Sequence, residues 1–187
     1  MNKEFEEYGF KVVRNMYDVK DHTKQYPDLY DYSTHLKGGR EDPQSPGAPS
    51  FGNETEMSKV HIKLLTKMEE ETGLKLYPTY NYLRIYNFNS VLEKHTDRPA
   101  CEISLSLNIG YDSDYNWPIW IEDRKWDKHE VILKAGDGLI YLGCECPHWR
   151  KPANGNVLTQ SQLFCHYVDQ DGLSADCIYD RVRPEVI

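Results

Sequence analysis

The spacing of apolar positions changes period once along this chain, near residue 74. Before it, Met57, Val60, Leu64, Leu65 and Met68 recur at helical intervals and predict one buried helix face. Asn53 is read as the N-cap, with Glu56 three residues on completing a capping-box-like start. Gly73, followed by Leu74, predicts a left-handed stop with a hydrophobic contact beyond it. His61 on this helix is expected at the surface or its boundary, with no chemical role. From residue 76 to 88 the period becomes two, apolar and aromatic side chains alternating with polar ones. Further strands are predicted over 101–109, 118–122, 130–133, 138–142, 145–150 and 158–168. Short strands at this density, joined by turns such as Ala135-Gly136-Asp137-Gly138, predict a β-sandwich or barrel with the helix against the outside of a sheet.

The remaining segments are less regular. Residues 10–13 predict a short strand, with the acidic residues before it frayed. Residues 15–35 predict turns and a short helix. Residues 36–51, LKGGREDPQSPGAPSF, are too dense in Gly and Pro for a regular element. They are expected to form either a solvated connector or a mobile flap over an active site, so that 36–53 is a flexible loop or lid. The tail, 169–187, reads as polar, weakly structured covering. A length of 187 residues predicts one domain, its core over about 76–170.

Composition narrows the function classes. A net charge of −8 argues against a nucleic-acid partner, which clustered Lys and Arg would attract. There is no apolar run of about 20 residues, the length a membrane span needs, and MNKEFEEYGF contains no apolar signal core. A cytoplasmic protein that avoids membranes is the expectation. The five cysteines, at 101, 144, 146, 165 and 177, are odd in number and scattered, which predicts reduced thiols.

The candidate chemistry centres on His95-Thr96-Asp97, directly after an alternating apolar run. Residues two apart in extended chain share a face, so the imidazole and the carboxylate can converge. A third ligand would complete a two-histidine, one-carboxylate facial triad, the set that holds non-haem Fe(II) with open positions. His148, in CECPHWR, is the best placed; His166 on a predicted strand competes, and His129 in a charged turn is a poor candidate. A second reading takes Cys144, Cys146 and His148 on one strand face as a zinc site, although that cysteine spacing is tighter than usual. A third is a non-catalytic β-barrel that binds metal or a small molecule.

The runs YNYLRIYNFNSVLEKHTDRPACEIS, WPIWIE, GDGLIYLGCECPHWR and QSQLFCHYVD resemble the Fe(II)- and 2-oxoglutarate-dependent oxygenases, most nearly the prolyl-4-hydroxylase-like branch. The resemblance implies a mostly β protein with flanking α elements. Its core would be a double-stranded β-helix of the jelly-roll or cupin-like kind, with helices packed on one side. It implies His95, Asp97 and His148 as iron ligands, 2-oxoglutarate as cosubstrate, and O2. In that family an Arg or Lys on the last core strand meets the far carboxylate of 2-oxoglutarate, but here the matching position falls near Gln160. Arg150 is the physical substitute, because it lies two residues beyond His148 on the same side and its planar fork suits a carboxylate. Gln160 or Gln162 would assist, and Arg84 and Arg98 are the other cationic candidates. The resemblance also gives Tyr86 and Ser106 as donors to 2-oxoglutarate. Ser104, Ser106 and Asn108 alternate onto one face, as a polar ligand would require. Arg98 is expected to edge the substrate mouth, with Trp120 and Trp149 lining it or buried. Halogenating relatives carry a small residue in place of Asp97, so hydroxylation of a C–H bond is implied, with succinate and CO2 released. The substrate is a protein side chain such as proline, a free amino acid or a small metabolite.

Overall fold

The computed structural model describes residues 1–20, 26–112, 115, 117–153 and 159–180. In chain order the elements are α1 (Lys3–Tyr8), β1 (Phe10–Val13), α2 (Leu29–His35), β2 (Arg40–Asp42), β3 (Ser45–Gly52), α3 (Thr55–Lys63) and α4 (Leu65–Thr72). Then follow β4 (Leu76–Asn87), β5 (Leu92–His95), β6 (Ile103–Tyr111), β7 (Ile119–Glu122), β8 (Lys128–Val131), β9 (Gly138–Leu142), β10 (His148–Arg150) and β11 (Thr159–Asp169). Short 3-10 turns cover Pro99–Cys101 and Ala175–Tyr179. A seven-stranded sheet runs β1-β9-β6-β11-β4-β3-β2 and a four-stranded sheet runs β5-β10-β7-β8, every pair antiparallel. The expected double-stranded β-helix is the architecture found.

Strand alternation sorts the large sheet into two chemically distinct faces. Leu163, Cys165 and Tyr167 of β11 and Leu105, Leu107 and Ile109 of β6 are buried in the apolar core shared with Met57, Val60, Leu64 and Met68. The helices cover this face: Tyr167 donates to the carbonyl of His61 on α3 (3.1 Å), and Ser161 meets Ser33 on α2 (2.6 Å). The opposite face carries Tyr82, Arg84 and Tyr86 of β4, in register with Phe164, Gln162 and Gln160 of β11. Ser104, Ser106 and Asn108 of β6 continue it, opposite His166, Phe164 and Gln162. A buried face this polar calls for polar partners.

Several expectations are corrected. Residues 36–51 are not irregular, because β2 and β3 form a hairpin that joins the large sheet at β4. Only Ser50, Phe51 and Gly52 of β3 pair with β4, so Pro46 and Pro49 fall outside those pairs, where a missing N–H is tolerated. The single helix expected from Asn53 is two helices meeting at Leu64. Its cap is Glu54, whose carboxylate accepts from the N–H groups of Glu56 and Met57, while Asn53 receives the N–H of Asn81. His61 is buried, its Nε2 3.2 Å from the His166 carbonyl, and burial lowers its pKa to about 4. The segment before β1 is a helix and not frayed, capped by Asn2, stopped by Gly9 at φ 76 and anchored by buried Phe5. β5 is a further strand, outside the predicted set. The predicted strands over 101–109 and 145–150 begin later, at Ile103 and His148. Residues 21–25, Leu158 and 181–187, which those predictions included, lie outside the described residues. Among the described residues no helix is long and apolar enough to cross a membrane.

Candidate metal centre and cleft

His95 ends β5 and His148 begins β10, and the two residues are paired across the small sheet. Their ring centroids lie 4.4 Å apart. Asp97 follows His95 by two residues, and its Oδ1 sits 3.7 Å from His95 Nε2 and 3.8 Å from His148 Nε2. One ion can bridge that spacing, and these three residues form a group able to hold one. Both imidazoles are already oriented. His95 Nδ1 meets the Glu93 carbonyl at 2.8 Å and His148 Nδ1 meets the Cys146 carbonyl at 3.1 Å. A carbonyl only accepts, so each Nδ1 carries the proton and each Nε2 keeps its lone pair toward the centre. Asp97 is held by its N–H on the Gly143 carbonyl (2.8 Å) and by Ser104, whose hydroxyl donates to Oδ2 (3.1 Å). Oδ1 is thereby left facing the histidines.

Gly143 is required by this packing. A Cβ there would lie 2.1 Å from the Cys101 carbonyl oxygen and 2.6 Å from Asp97 Oδ2. Burial sets the charge state of the trio. It pushes Asp97 up to about 6 and His148 down to about 4, and it lowers His95, to which neighbouring His148 adds. At neutral pH the site is two neutral imidazoles and a carboxylate, ready for a divalent cation.

Arg150 is buried beside this centre. It donates to the Trp117 carbonyl (2.7 Å) and to Gln162 Oε1 (3.2 Å), and its Nε has no partner among the described residues. Burial brings its pKa down to about 10, so it remains a cation at neutral pH. Gln162 gathers the other predicted residues: Gln160 donates to its Oε1 (3.1 Å) and its amide donates to Ser106 (2.9 Å). Tyr86, opposite Gln160, packs its ring edge-on to Trp117 at 5.0 Å with the Arg150 guanidinium 5.6 Å from its centroid. Arg150, Ser106 and Gln160 therefore converge on Gln162, with Tyr86 packed beside the Arg150 guanidinium.

A cleft of about 810 Å³ opens at Asp97 and is walled by Tyr80, Tyr82, His166, Arg98 and the β2–β3 hairpin. Arg98 in that wall lies over the Tyr80 ring at 4.8 Å and is paired with Asp180. Trp120 does not reach the cleft. Ile119 and Ile121 on either side are buried inward, so Trp120 points to the outer face, where it stacks on Trp149 at 6.0 Å beneath Lys151. The zinc alternative also fails geometrically. Cys144 is exposed with its thiol near the Arg98 carbonyl, whereas the Cys146 thiol turns toward the Tyr8 and Gly9 carbonyls. His129 is engaged by Asp123 (2.8 Å). His166 forms a second group with Asp97 and Cys101, and its Nδ1 meets Ser104 at 2.8 Å.

No family model and no curated protein sequence matches this chain. Solved structures do. A prolyl-4-hydroxylase from Pseudomonas putida is 11% identical with a TM-score of 0.66, covering 89% of this chain and 95% of its own. HygX from Streptomyces hygroscopicus, with nickel and 2-oxoglutarate bound, is 11% identical with a TM-score of 0.67, covering 91% and 88%. The α-ketoglutarate-dependent epimerase SnoN from nogalamycin biosynthesis is 10% identical with a TM-score of 0.70, covering 88% and 78%. These diverse reactions single out no branch. With its two antiparallel sheets and flanking helices, the chain has the double-stranded β-helix fold seen in the Fe(II)/2-oxoglutarate oxygenases.

Proposed function

We propose that the chain, as one domain over 1–187, is an Fe(II)- and 2-oxoglutarate-dependent oxygenase that hydroxylates a C–H bond of a small-molecule or peptide substrate. The observation that carries this reading is the pair of imidazoles whose Nδ1 protons are fixed on carbonyls, so that both Nε2 lone pairs face Asp97 Oδ1. Such a donor set fits iron, and His95, Asp97 and His148 are the residues that would hold it. Iron, 2-oxoglutarate and O2 together supply the oxidising chemistry, with succinate and CO2 as coproducts.

The chain's own residues supply placement. Arg150 carries a buried positive charge with no carboxylate beside it among the described residues, and its unpartnered Nε invites one. A bidentate acid group there gains two charge-assisted hydrogen bonds in a dry site. Gln160 and Ser106 brace Gln162, which in turn fixes the fork, and Tyr86 flanks it. The β2–β3 hairpin is read as the cover that keeps water from the cleft, and Arg98 as an edge of its mouth. Succinate formation from 2-oxoglutarate tests the proposal, with Fe(II), O2 and a mixture of small acids and short peptides supplied. Wild-type protein should form succinate and Asp97→Ala should fall to background. Iron-loaded wild type that forms none, or equal amounts from both proteins, would contradict it.

A further inference from the structure

Arg150 is not the only guanidinium sealed inside the molecule. Arg84 of β4 has a side chain with 0% exposure. Its Nη1 donates to the Tyr86 hydroxyl (3.3 Å), and it lies beside the stacked rings of Tyr82 and Phe164, 5.2 and 5.7 Å from their centroids. Its Nε has no partner among the described residues. A buried arginine needs an anion nearby, since removal of its partner leaves an uncompensated charge. For Arg84 that anion is Asp42, which is 27% exposed and lines the cleft.

Asp42 is an unusual place for a permanent counter-ion. It ends β2, the edge strand of the large sheet, at a register shift within the β2–β3 hairpin. One Arg84 nitrogen takes Asp42 and another is left over, whereas a bidentate carboxylate would satisfy both. Tyr82, in the same row of side chains, lines the cleft that opens at Asp97. We propose that Arg84 is a second carboxylate site, which holds the acid group of a small-molecule substrate in exchange for Asp42. The exchange keeps the buried cation neutralised throughout and releases Asp42 toward solvent. Arg84 lies wholly beneath the cleft wall, so the acid group must sit at the slim end of a small molecule. The two cations then divide the work: Arg150 takes the cosubstrate, and Arg84 takes the substrate. Calling that ligand a substrate rests on the oxygenase reading above.

Chemical rescue tests the site without turnover. Thermal unfolding of the full-length Asp42→Ala protein is measured in sodium acetate and in sodium chloride of equal ionic strength. Acetate should recover most of the lost melting temperature in Asp42→Ala, and should do nothing for the Asp42→Ala/Arg84→Met double variant. Asp42→Asn, which preserves the shape of the side chain, serves the same comparison if the alanine protein does not fold. No acetate-specific recovery, or equal recovery in the double variant, overturns the proposal. A second arm follows anaerobic 2-oxoglutarate binding to the iron-loaded protein. Affinity in Arg84→Met should stay near that of wild type, whereas a loss of about tenfold or more, roughly 1.4 kcal/mol, would give Arg84 to the cosubstrate and overturn the division of labour. Wild-type protein that binds iron but no 2-oxoglutarate would sink the oxygenase reading, and the word substrate with it. The acetate recovery reads the Arg84 site independently of that result.

Discussion

At the scale of residues, the candidate centre depends on a few close approaches. Asp97 reaches the histidines because Gly143 leaves room for it, and Gly143 also receives the Asp97 N–H. Gly143→Ala is expected to displace both the Cys101 carbonyl and Asp97, lowering stability and weakening Fe(II) binding by at least about tenfold, more than 1.4 kcal/mol. Isothermal titration with Fe(II) under argon measures this, and unchanged affinity would contradict it. Much of this was legible in the sequence. His95 and Asp97 stand two apart in extended chain, and that fixes their common direction. The direction of Trp120 was missed, although Ile119 and Ile121, the apolar neighbours that take the inner face of β7, turn it outward. The Arg84–Asp42 pair was not legible, because its partners are 42 residues apart and meet only through the hairpin.

Among elements, the β2–β3 hairpin and Glu54, the cap of the helix after it, line the cleft. Glu54 caps α3 with one carboxylate oxygen and accepts the Tyr32 hydroxyl at 2.6 Å with the other. Its loss removes a cap and also a link between α2 and α3. Glu54→Ala should cost about 1 kcal/mol for the cap, with a further contribution from the lost hydroxyl partner. Urea unfolding monitored by far-ultraviolet circular dichroism checks this; an unchanged midpoint would contradict it. The sequence placed the cap one residue early, because Asn53 is the better capping type. Asn53 instead adopts φ 47 and ties the turn to β4 through the Asn81 N–H, a tertiary bond that no local pattern contains. The hairpin was hidden for a similar reason. Its prolines read as strand breakers, yet Pro46 and Pro49 lie outside the three β3 residues that pair with β4, so that ladder loses no N–H to them. β5 was obscured by its polar content, LEKH, in which only Leu92 is buried.

On the scale of the whole molecule, the change of period from helix to alternation carried the architecture, and the buried titratable groups carry a pH dependence. Burial lowers His61 and His148 to about 4, against about 6.5 in an unfolded chain. Between those values the unfolded chain of the metal-free protein binds more protons, so acid favours unfolding. Asp97, raised to about 6 from about 3.9, has the opposite sign, because the folded form binds the extra proton there. Two imidazoles outweigh one carboxyl. The urea midpoint of metal-free protein should therefore fall between pH 7 and pH 5, and a midpoint that rises would contradict the burial of these histidines. Taken together, the two imidazoles, Asp97 and the buried Arg150 make the polar space between the sheets fit for a metal and an oxo acid. The most direct test of that fit is an anaerobic titration of metal-free protein with Fe(II) and then 2-oxoglutarate, following the weak visible charge-transfer band of the chelate. Wild type should show a band that vanishes in His95→Ala and needs more 2-oxoglutarate in Arg150→Ala. Wild-type protein with iron demonstrably bound and no band would contradict it.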